Sequence, residues 1–588
     1  MNVGIDREFA SAEHSRGHYF GGIKRWLAPS FWGLGAGILQ SLAIATPAVS
    51  AERIYLTFGL FERAIEIEDL ETLANEGELP SDLEYYARFL TPEQLAQLRT
   101  VLTEPVDINV ITVSQFLHTP QGTFLLQQLG EVINTPARLS GFLPLRAALV
   151  LAAADSEEGL TLLNVLRYFP TQGVRIDLLR GLAVAEGIDR AVNEANQAIA
   201  TIQSTALQAA QQQTLPDIAS LPREIQRRGP FALRRVSLTV RRFNPPADLY
   251  IPVVSEIASR EFPGRFPVVV ISHGLGSDRT TFAYLARYLS SYGFVVLAVE
   301  HGGSSAEQLL ALAEGRTTQV VPDDEFINRP QEVSLALDAL TRFARADSYL
   351  QRRINLDQVG IIGQSFGGFT ALALAGATFN QASLVENCPP QLSSFNVSLL
   401  LQCQALALFQ PAIAAGDTAS ARLPETVATF SDPRIKAAIA VNPIGSIIFG
   451  PAGLSQVEVP TLLVAGSSDT VAPALAEQII PFTWLTSAER HLLLLQNGTH
   501  FSTVARSEND SEVLPIPVSI LGPRPDIAQN YLEAMSTIFF QTYLRQDQRY
   551  RPFLSAAYAS EISQSPLPLS LVQSLKATER SLLESPEP

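Results

Sequence analysis

The pentapeptide Gly363-Gln364-Ser365-Phe366-Gly367 constrains this chain more than any other stretch. An apolar run, Val359-Gly360-Ile361-Ile362, precedes it. A helix-like run, Phe369-Thr370-Ala371-Leu372-Ala373-Leu374-Ala375, follows. Strand, sharp turn and helix in that order give G-x-S-x-G its meaning. The outer positions of such a turn have room for hydrogen only, so glycine fits at 363 and 367. The turn lifts the serine oxygen above the sheet end. The positive end of the following helix then points at negative charge developing there. Ser365 is expected to be a nucleophile rather than a structural turn serine.

The partners of a serine on such a turn follow it along the chain, acid first and base second. Of the seven histidines only His491 and His500 lie beyond Ser365. His491 opens the run Leu492-Leu493-Leu494-Leu495 and reads as the start of a buried strand. His500 follows that run in a polar loop, where a base can reach a serine. The acid is expected at Asp469, just past the apolar run Thr461-Leu462-Leu463-Val464-Ala465-Gly466. An aspartate there also suits a turn or helix cap. Asp432, in Ser431-Asp432-Pro433, is the rival, although an Asp-Pro pair ahead of a strand reads as a turn.

An oxyanion site needs two backbone N–H donors aimed at one point. Phe366, next after the nucleophile, is one. The other belongs on the loop after the third strand. Phe266-Pro267-Val268-Val269-Val270-Ile271 reads as that strand and Ser272-His273-Gly274-Leu275-Gly276-Ser277 as that loop, with Leu275 as donor. His273 precedes the serine and is read as a packing and loop-shaping residue.

From Val268 through His273-Gly274-Leu275-Gly276 to Val299-Glu300-His301-Gly302-Gly303-Ser304-Ser305, the chain resembles platelet-activating-factor acetylhydrolases. It is similar also to the dienelactone-hydrolase-like and polyester-hydrolase-like branches of the α/β-hydrolase superfamily. The resemblance covers about the last 350 residues, a normal size for one such domain. It implies a mostly parallel sheet covered by helices on both faces. In the acetylhydrolases the acid follows the sixth strand. Here that strand ends in Asn442-Pro443, and asparagine cannot be the charged partner, which again points to Asp469. Dienelactone hydrolases use cysteine where this chain has Ser365. Ahead of the hydrolase, the chain resembles the helical region that accompanies cyanobacterial hydrolases of unassigned function.

The chain has 588 residues, enough for several domains, and a net charge of −16. That charge argues against a nucleic-acid partner, whose phosphates need clustered Lys and Arg. Walker, dinucleotide and zinc spacings are missing from the sequence, so no cofactor or metal is expected. Residues 1–51 read as an export signal or a retained membrane anchor. Lys24 and Arg25 precede a charge-free stretch from 26 to 49, and Pro47-Ala48-Val49-Ser50-Ala51 suits a signal peptidase. Either reading places the enzyme across the inner membrane, periplasmic, secreted or anchored. Cys388 and Cys403 are the only cysteines. In an exported protein they form either a local disulfide or two buried thiols.

Residues 52–213 are expected to form a mainly helical domain after one strand-like run at 54–58. Ser81 with Glu84, and Thr91 with Gln94, fit capping boxes, and Pro92 suits a first helical position. Residues 214–230 read as a linker and 231–550 as the α/β-hydrolase domain. An insertion at about 380–425 is either a helical cap over the site or an enlarged surface loop. Residues 551–588 read as a loosely held tail. The expected function is a serine esterase of lipase or acetylhydrolase type, acting on a small-molecule or lipid ester through an acyl-enzyme. The alternatives are an amidase or polyester hydrolase using the same triad, or a non-catalytic scaffold on this fold. Association with a membrane surface stays open, and no protein partner is inferable from the sequence.

Overall fold

The computed structural model describes residues 50–221, 225–239, 246–255, 260, 264–388, 396–409, 429–508, 518–576 and 579. The signal or anchor segment up to 49, and 389–395 and 410–428 of the insertion, lie outside these. The unit from Ser50 onward is the one described below.

Nine strands form the main sheet: β5 (Ala232–Thr239), β6 (Pro246–Val253), β7 (Phe266–Ser272), β8 (Val295–Val299), β9 (Ile354–Gln364), β10 (Ile435–Val441), β11 (Thr461–Gly466), β12 (Arg490–Leu495) and β13 (Leu569–Val572). Their spatial order is β13-β12-β11-β10-β9-β7-β8-β6-β5. The six strands from β12 to β8 run parallel, and antiparallel pairs close both edges. Every residue of β7, β8 and β11 is buried, so both faces of the middle of the sheet are covered. Continuous Val/Ile/Leu runs are the composition such strands require.

A second, four-stranded sheet lies in the N-terminal region, in the order β2-β1-β4-β3. It joins β1 (Arg53–Phe58), β2 (Phe61–Glu66), β3 (Ile133–Asn134) and β4 (Gly173–Asp177). Helices that share its core include α1 (Pro92–Thr103), α2 (Val110–His118), α3 (Pro120–Val132) and α4 (Phe142–Ala154). Thr91 caps α1 with the expected capping box to Gln94, and Pro92 is its first residue. At Ser81 no side-chain cap bond forms, because that helix begins at Ser81 itself. Ala51 is buried in the core of this region, and the Ile67 N–H donates to the Glu52 carbonyl. The 35-residue helix α5 (Leu178–Gln212) then leads to the main sheet. Among the described residues no helix is long and apolar enough to cross a membrane.

The principal helices of the main unit are α6 (Ala283–Ser291), α7 (Glu325–Ala346), α8 (Phe366–Leu374), α9 (Gln381–Asn387), α10 (Ser398–Gln402), α11 (Ser446–Leu454), α12 (Pro525–Tyr543) and α13 (Ala556–Ile562). The C-terminal residues differ from the loose tail expected of them. The segment 556–572 supplies α13 and edge strand β13, and both pack against α5. Leu567, Leu569 and Leu571 are buried. Ser and Pro set their turns, while these leucines fill the core.

Candidate active site

The parallel strands deliver five loops to one sheet end. Ser272 of β7 pairs with Gly363 of β9, and Gln364 pairs with Val441 of β10. Gly466 of β11 pairs with Leu495 of β12. The residues just beyond these ends, His273, Ser365, Asn442, Asp469 and His500, are therefore gathered along one edge.

Ser365 occupies the turn between β9 and α8 with φ 57° and ψ −116°. Such a backbone costs on the order of 1–3 kcal/mol for a non-glycine residue and persists only where the surroundings hold it. They do: its N–H donates to the Val441 carbonyl at 2.9 Å, and its carbonyl accepts from Phe369 N–H at 3.1 Å. A Cβ on Gly363 would stand 2.0 Å from the Gly367 carbonyl oxygen, and one on Gly367 2.0 Å from that of Ser272. Both glycines are thus required by close backbone approach.

Asp469 and His500 are brought together. His500 Nδ1 lies 2.8 Å from Asp469 Oδ2. The same Oδ2 accepts from Asn442 Nδ2 at 2.6 Å. The other oxygen, Oδ1, accepts the N–H groups of Val471 at 2.9 Å and Ala472 at 2.7 Å. Four donors hold this carboxylate in one orientation. Gln364, next to Ser365, donates from Nε2 to the His500 carbonyl at 3.1 Å and ties the histidine loop to the serine turn. Asp432, the rival acid, lies elsewhere, bonded to Arg434 and Ser334. His491 is buried against Tyr543 and Phe539. Burial lowers its pKa to about 4.

Phe366 is the first residue of α8, where an N–H has no intrahelical acceptor. Among the described residues neither its N–H nor that of Leu275 makes a backbone hydrogen bond. The Leu275 loop crosses close over the serine: a Cβ on Gly274 would stand 3.3 Å from that of Ser365. His273 is fully buried, and its Nε2 accepts from the His301 N–H at 3.0 Å. Nδ1 therefore carries the proton and donates to the Gly274 carbonyl at 2.8 Å. That carbonyl shares a peptide plane with the Leu275 N–H, so His273 fixes the direction of this donor.

Burial lowers the His273 pKa to about 3, so the ring stays neutral. In the unfolded chain it takes a proton near 6.5. The unfolded state then binds more protons between these values, and stability is lost as pH falls from about 6.5 toward 3. Thermal melting should fall steeply across this window. His273→Asn, whose amide can still donate to the Gly274 carbonyl, should show a shallower fall. Equal slopes in both proteins would refute this account of His273.

The fold adds contacts around the acid that the sequence did not show. Asn442, just past the end of β10, has φ 44° and donates to Asp469 one strand over. Glu477 is a buried carboxylate that fastens the insertion. Its Oε1 accepts from Asn396, Ser398, Gln402 and Ser446, and its Oε2 accepts the N–H groups of Gly445 and Ser446. Cys388 and Cys403 form a disulfide around the same segment. The Ser398 N–H donates to the Val471 carbonyl, two residues from Asp469, so the insertion buttresses the acid loop. Helices of the N-terminal region reach this neighbourhood as well. α3 packs against α10, and α2 packs against the helix Ala306–Ala313 beside the Leu275 loop.

Three family models match separate parts of the chain. One described as "Alpha/beta hydrolase of unknown function (DUF1400)" matches residues 50–177. "Platelet-activating factor acetylhydrolase, isoform II" matches 247–333. "PET hydrolase-like" matches 424–565, which holds Asp469 and His500. Among curated relatives, the platelet-activating factor acetylhydrolase of Canis lupus familiaris is 28% identical over 139 residues, 18% of this chain and 31% of that protein. The bis(hydroxyethyl) terephthalate hydrolase of Streptomyces coelicolor is 23% identical over 292 residues, 50% of this chain and 61% of that protein. The chain thus spans between about a third and three fifths of these relatives' lengths. Three matches spread along one sequence, together with a nine-stranded and mostly parallel sheet, lead to one placement: the chain belongs to the α/β-hydrolase superfamily.

Proposed function

We propose that this protein is a serine esterase that cleaves carboxylic esters of lipids or other apolar acids. The observation that carries the reading is the 2.8 Å contact of His500 with Asp469 beside a serine held in a strained turn. Ser365 Oγ attacks the ester carbonyl carbon while its proton passes to His500 Nε2. Asp469 orients His500 through Nδ1 and stabilises its charged form. The N–H groups of Leu275 and Phe366 receive the oxyanion. Collapse of the tetrahedral intermediate expels the alcohol, which takes the proton from His500. Water, deprotonated in turn by His500, attacks the acyl carbon and releases the acid from Ser365. The residues alone supply this chemistry, and the proposal invokes no cofactor or metal.

The similarity to a terephthalate ester hydrolase over half of the chain favours a second substrate class, esters of aromatic acids. The sequence of residues 24–51 and the Cys388–Cys403 disulfide support an exported enzyme, since disulfides persist in oxidising compartments.

The test is steady-state hydrolysis by the full chain of aliphatic esters of graded acyl length and of bis(hydroxyethyl) terephthalate. Turnover that rises with acyl length supports the lipid reading, because each buried CH₂ contributes about 0.8 kcal/mol. Preference for the terephthalate supports the aromatic one. Hydrolysis of neither, with no labelling of Ser365 by a fluorophosphonate, overturns the esterase assignment.

A further inference from the structure

Behind the two oxyanion donors lies a buried cation that the mechanism above does not use. Arg329, on α7, is 0% exposed. Among the described residues no carboxylate lies within ion-pairing distance of it. Its guanidinium donates instead to neutral oxygens. Nε reaches Thr370 Oγ1 at 3.0 Å, and one terminal nitrogen reaches Ser304 Oγ. The other terminal nitrogen reaches Ser272 Oγ at 3.3 Å and the His273 carbonyl. Burying a cation this way carries a desolvation cost that well-packed apolar residues would avoid. Glu325, Glu332 and Glu300 favour its charged form from beyond hydrogen-bond reach, and its direct bonds place that charge between the two oxyanion donors.

The contacts of Arg329 fall on both halves of the oxyanion site. On one side it grips the loop at Ser272 and His273, immediately before the Gly274–Leu275 peptide. On the other its guanidinium carbon lies 4.6 Å from the centre of the Phe366 ring. Thr370, which accepts from Arg329, donates in turn to the Phe366 carbonyl at 3.0 Å. Phe326, three residues before Arg329 and so on the same helix face, packs against the Phe366 ring at 4.9 Å. One helix therefore clamps the residue after the nucleophile and, through one planar fork, the loop opposite it. The surrounding shell holds the fork in place. Ser304 Oγ donates to Glu325, and His301 bridges Ser272 Oγ at 2.9 Å and Glu332 at 2.6 Å.

We propose that Arg329 is a positioning residue that sets the distance between the Leu275 and Phe366 N–H groups, and so the fit of the site to a tetrahedral oxyanion. Lysine keeps the charge but offers a point donor in place of a fork, and cannot span the same set of oxygens. The inference rests on the esterase reading, and its test separates the two.

Wild type and Arg329→Lys are compared for turnover per site, counted by fluorophosphonate labelling. KM is measured alongside, together with inhibition by an alkyl trifluoromethyl ketone, which forms a tetrahedral adduct on the serine. Turnover per labelled site should fall about a hundredfold, the usual loss when one oxyanion donor is misplaced. KM should change little, and ketone affinity should fall in proportion to turnover. A merely structural arginine would lower the melting temperature and the labelled fraction but leave turnover per labelled site and ketone affinity unchanged. That result overturns the proposal. Should Arg329→Lys not fold, Thr370→Val and Ser304→Ala each remove one oxygen from the fork and carry the test, with about a tenfold loss expected as a fraction of that donor effect. Unchanged turnover in both again overturns it. A wild-type chain that neither labels nor hydrolyses any ester refutes the esterase reading itself, before any variant is compared.

Discussion

Ser365→Ala should lower ester turnover by about a millionfold, the loss found when a triad acting as a unit is deprived of its nucleophile. The residual rate would come from the oxyanion donors and substrate binding alone. The substitution is a clean probe because alanine keeps the Cβ and meets the same backbone demand at φ 57°. The Val441 and Phe369 hydrogen bonds involve only the backbone of residue 365, so they remain. The melting temperature should therefore stay close to that of the wild type while the chemistry is lost. A fluorophosphonate should label the wild type at Ser365 alone, and the variant not at all. Persistent labelling of the folded Ser365→Ala protein would assign the nucleophile to another residue.

Asp469→Asn should lower turnover by about ten-thousandfold, through the histidine tautomer rather than through lost structure. The four donors around the carboxylate explain why. Oδ1 accepts two backbone N–H groups, from Val471 and Ala472, so an asparagine keeps its carbonyl oxygen there. Its amide nitrogen must then take the place of Oδ2 and face both Asn442 Nδ2 and His500 Nδ1. His500 can meet that N–H only by accepting at Nδ1, which puts its proton on Nε2. A histidine in that form cannot take a proton from Ser365. Asp432→Asn, by contrast, disturbs an Arg434 and Ser334 cluster remote from the sheet end, and should affect stability more than turnover. Steady-state kinetics with melting curves decide the matter. Near-normal turnover in Asp469→Asn, with collapse in Asp432→Asn, would reverse the assignment.

The residues named in those two experiments could be read from the chain because a parallel sheet writes its strands as apolar runs. Residues that follow such runs land at one sheet end, so the shared position of Ser365, Asp469, His500, Leu275 and Phe366 was legible by order. Asn442 was legible only as an acid that is missing. Its donation to Asp469 depends on the neighbouring positions of β10 and β11, which a linear reading does not supply. Arg329 and Glu477 were invisible. Neither belongs to a recognisable motif, and the hydrogen-bond partners of each lie tens of residues away, gathered only by the fold. Of the four strands of the N-terminal sheet only β1 was seen. β1 carries a visible apolar run, but most of β2 is exposed and β3 has two residues, so neither shows a periodic signal. Cys388 and Cys403 left two options open, since sequence carries no distance between sulfurs.

The packing of α5 against α13 and β13 has a consequence for how the chain is made. The buried stripe of α5, Ala198, Ile199, Ile202 and Ala206, is translated early. Its cover comes from near the other end: Gln213, just after α5, accepts from the Ala557 N–H across 344 positions. At about 5–20 residues per second, the ribosome needs about 20–70 s to supply that partner. Throughout this interval the growing chain carries an apolar stripe without its cover, and after residue 495 it also carries β12 as a bare sheet edge, the kind of edge that templates aggregation. The arrival of residues 556–572 covers both at once. A product stopped before residue 556 would keep every residue of the proposed site and yet display both sticky surfaces, so residues 556–572 act as a built-in seal on the sheet edge and the α5 stripe.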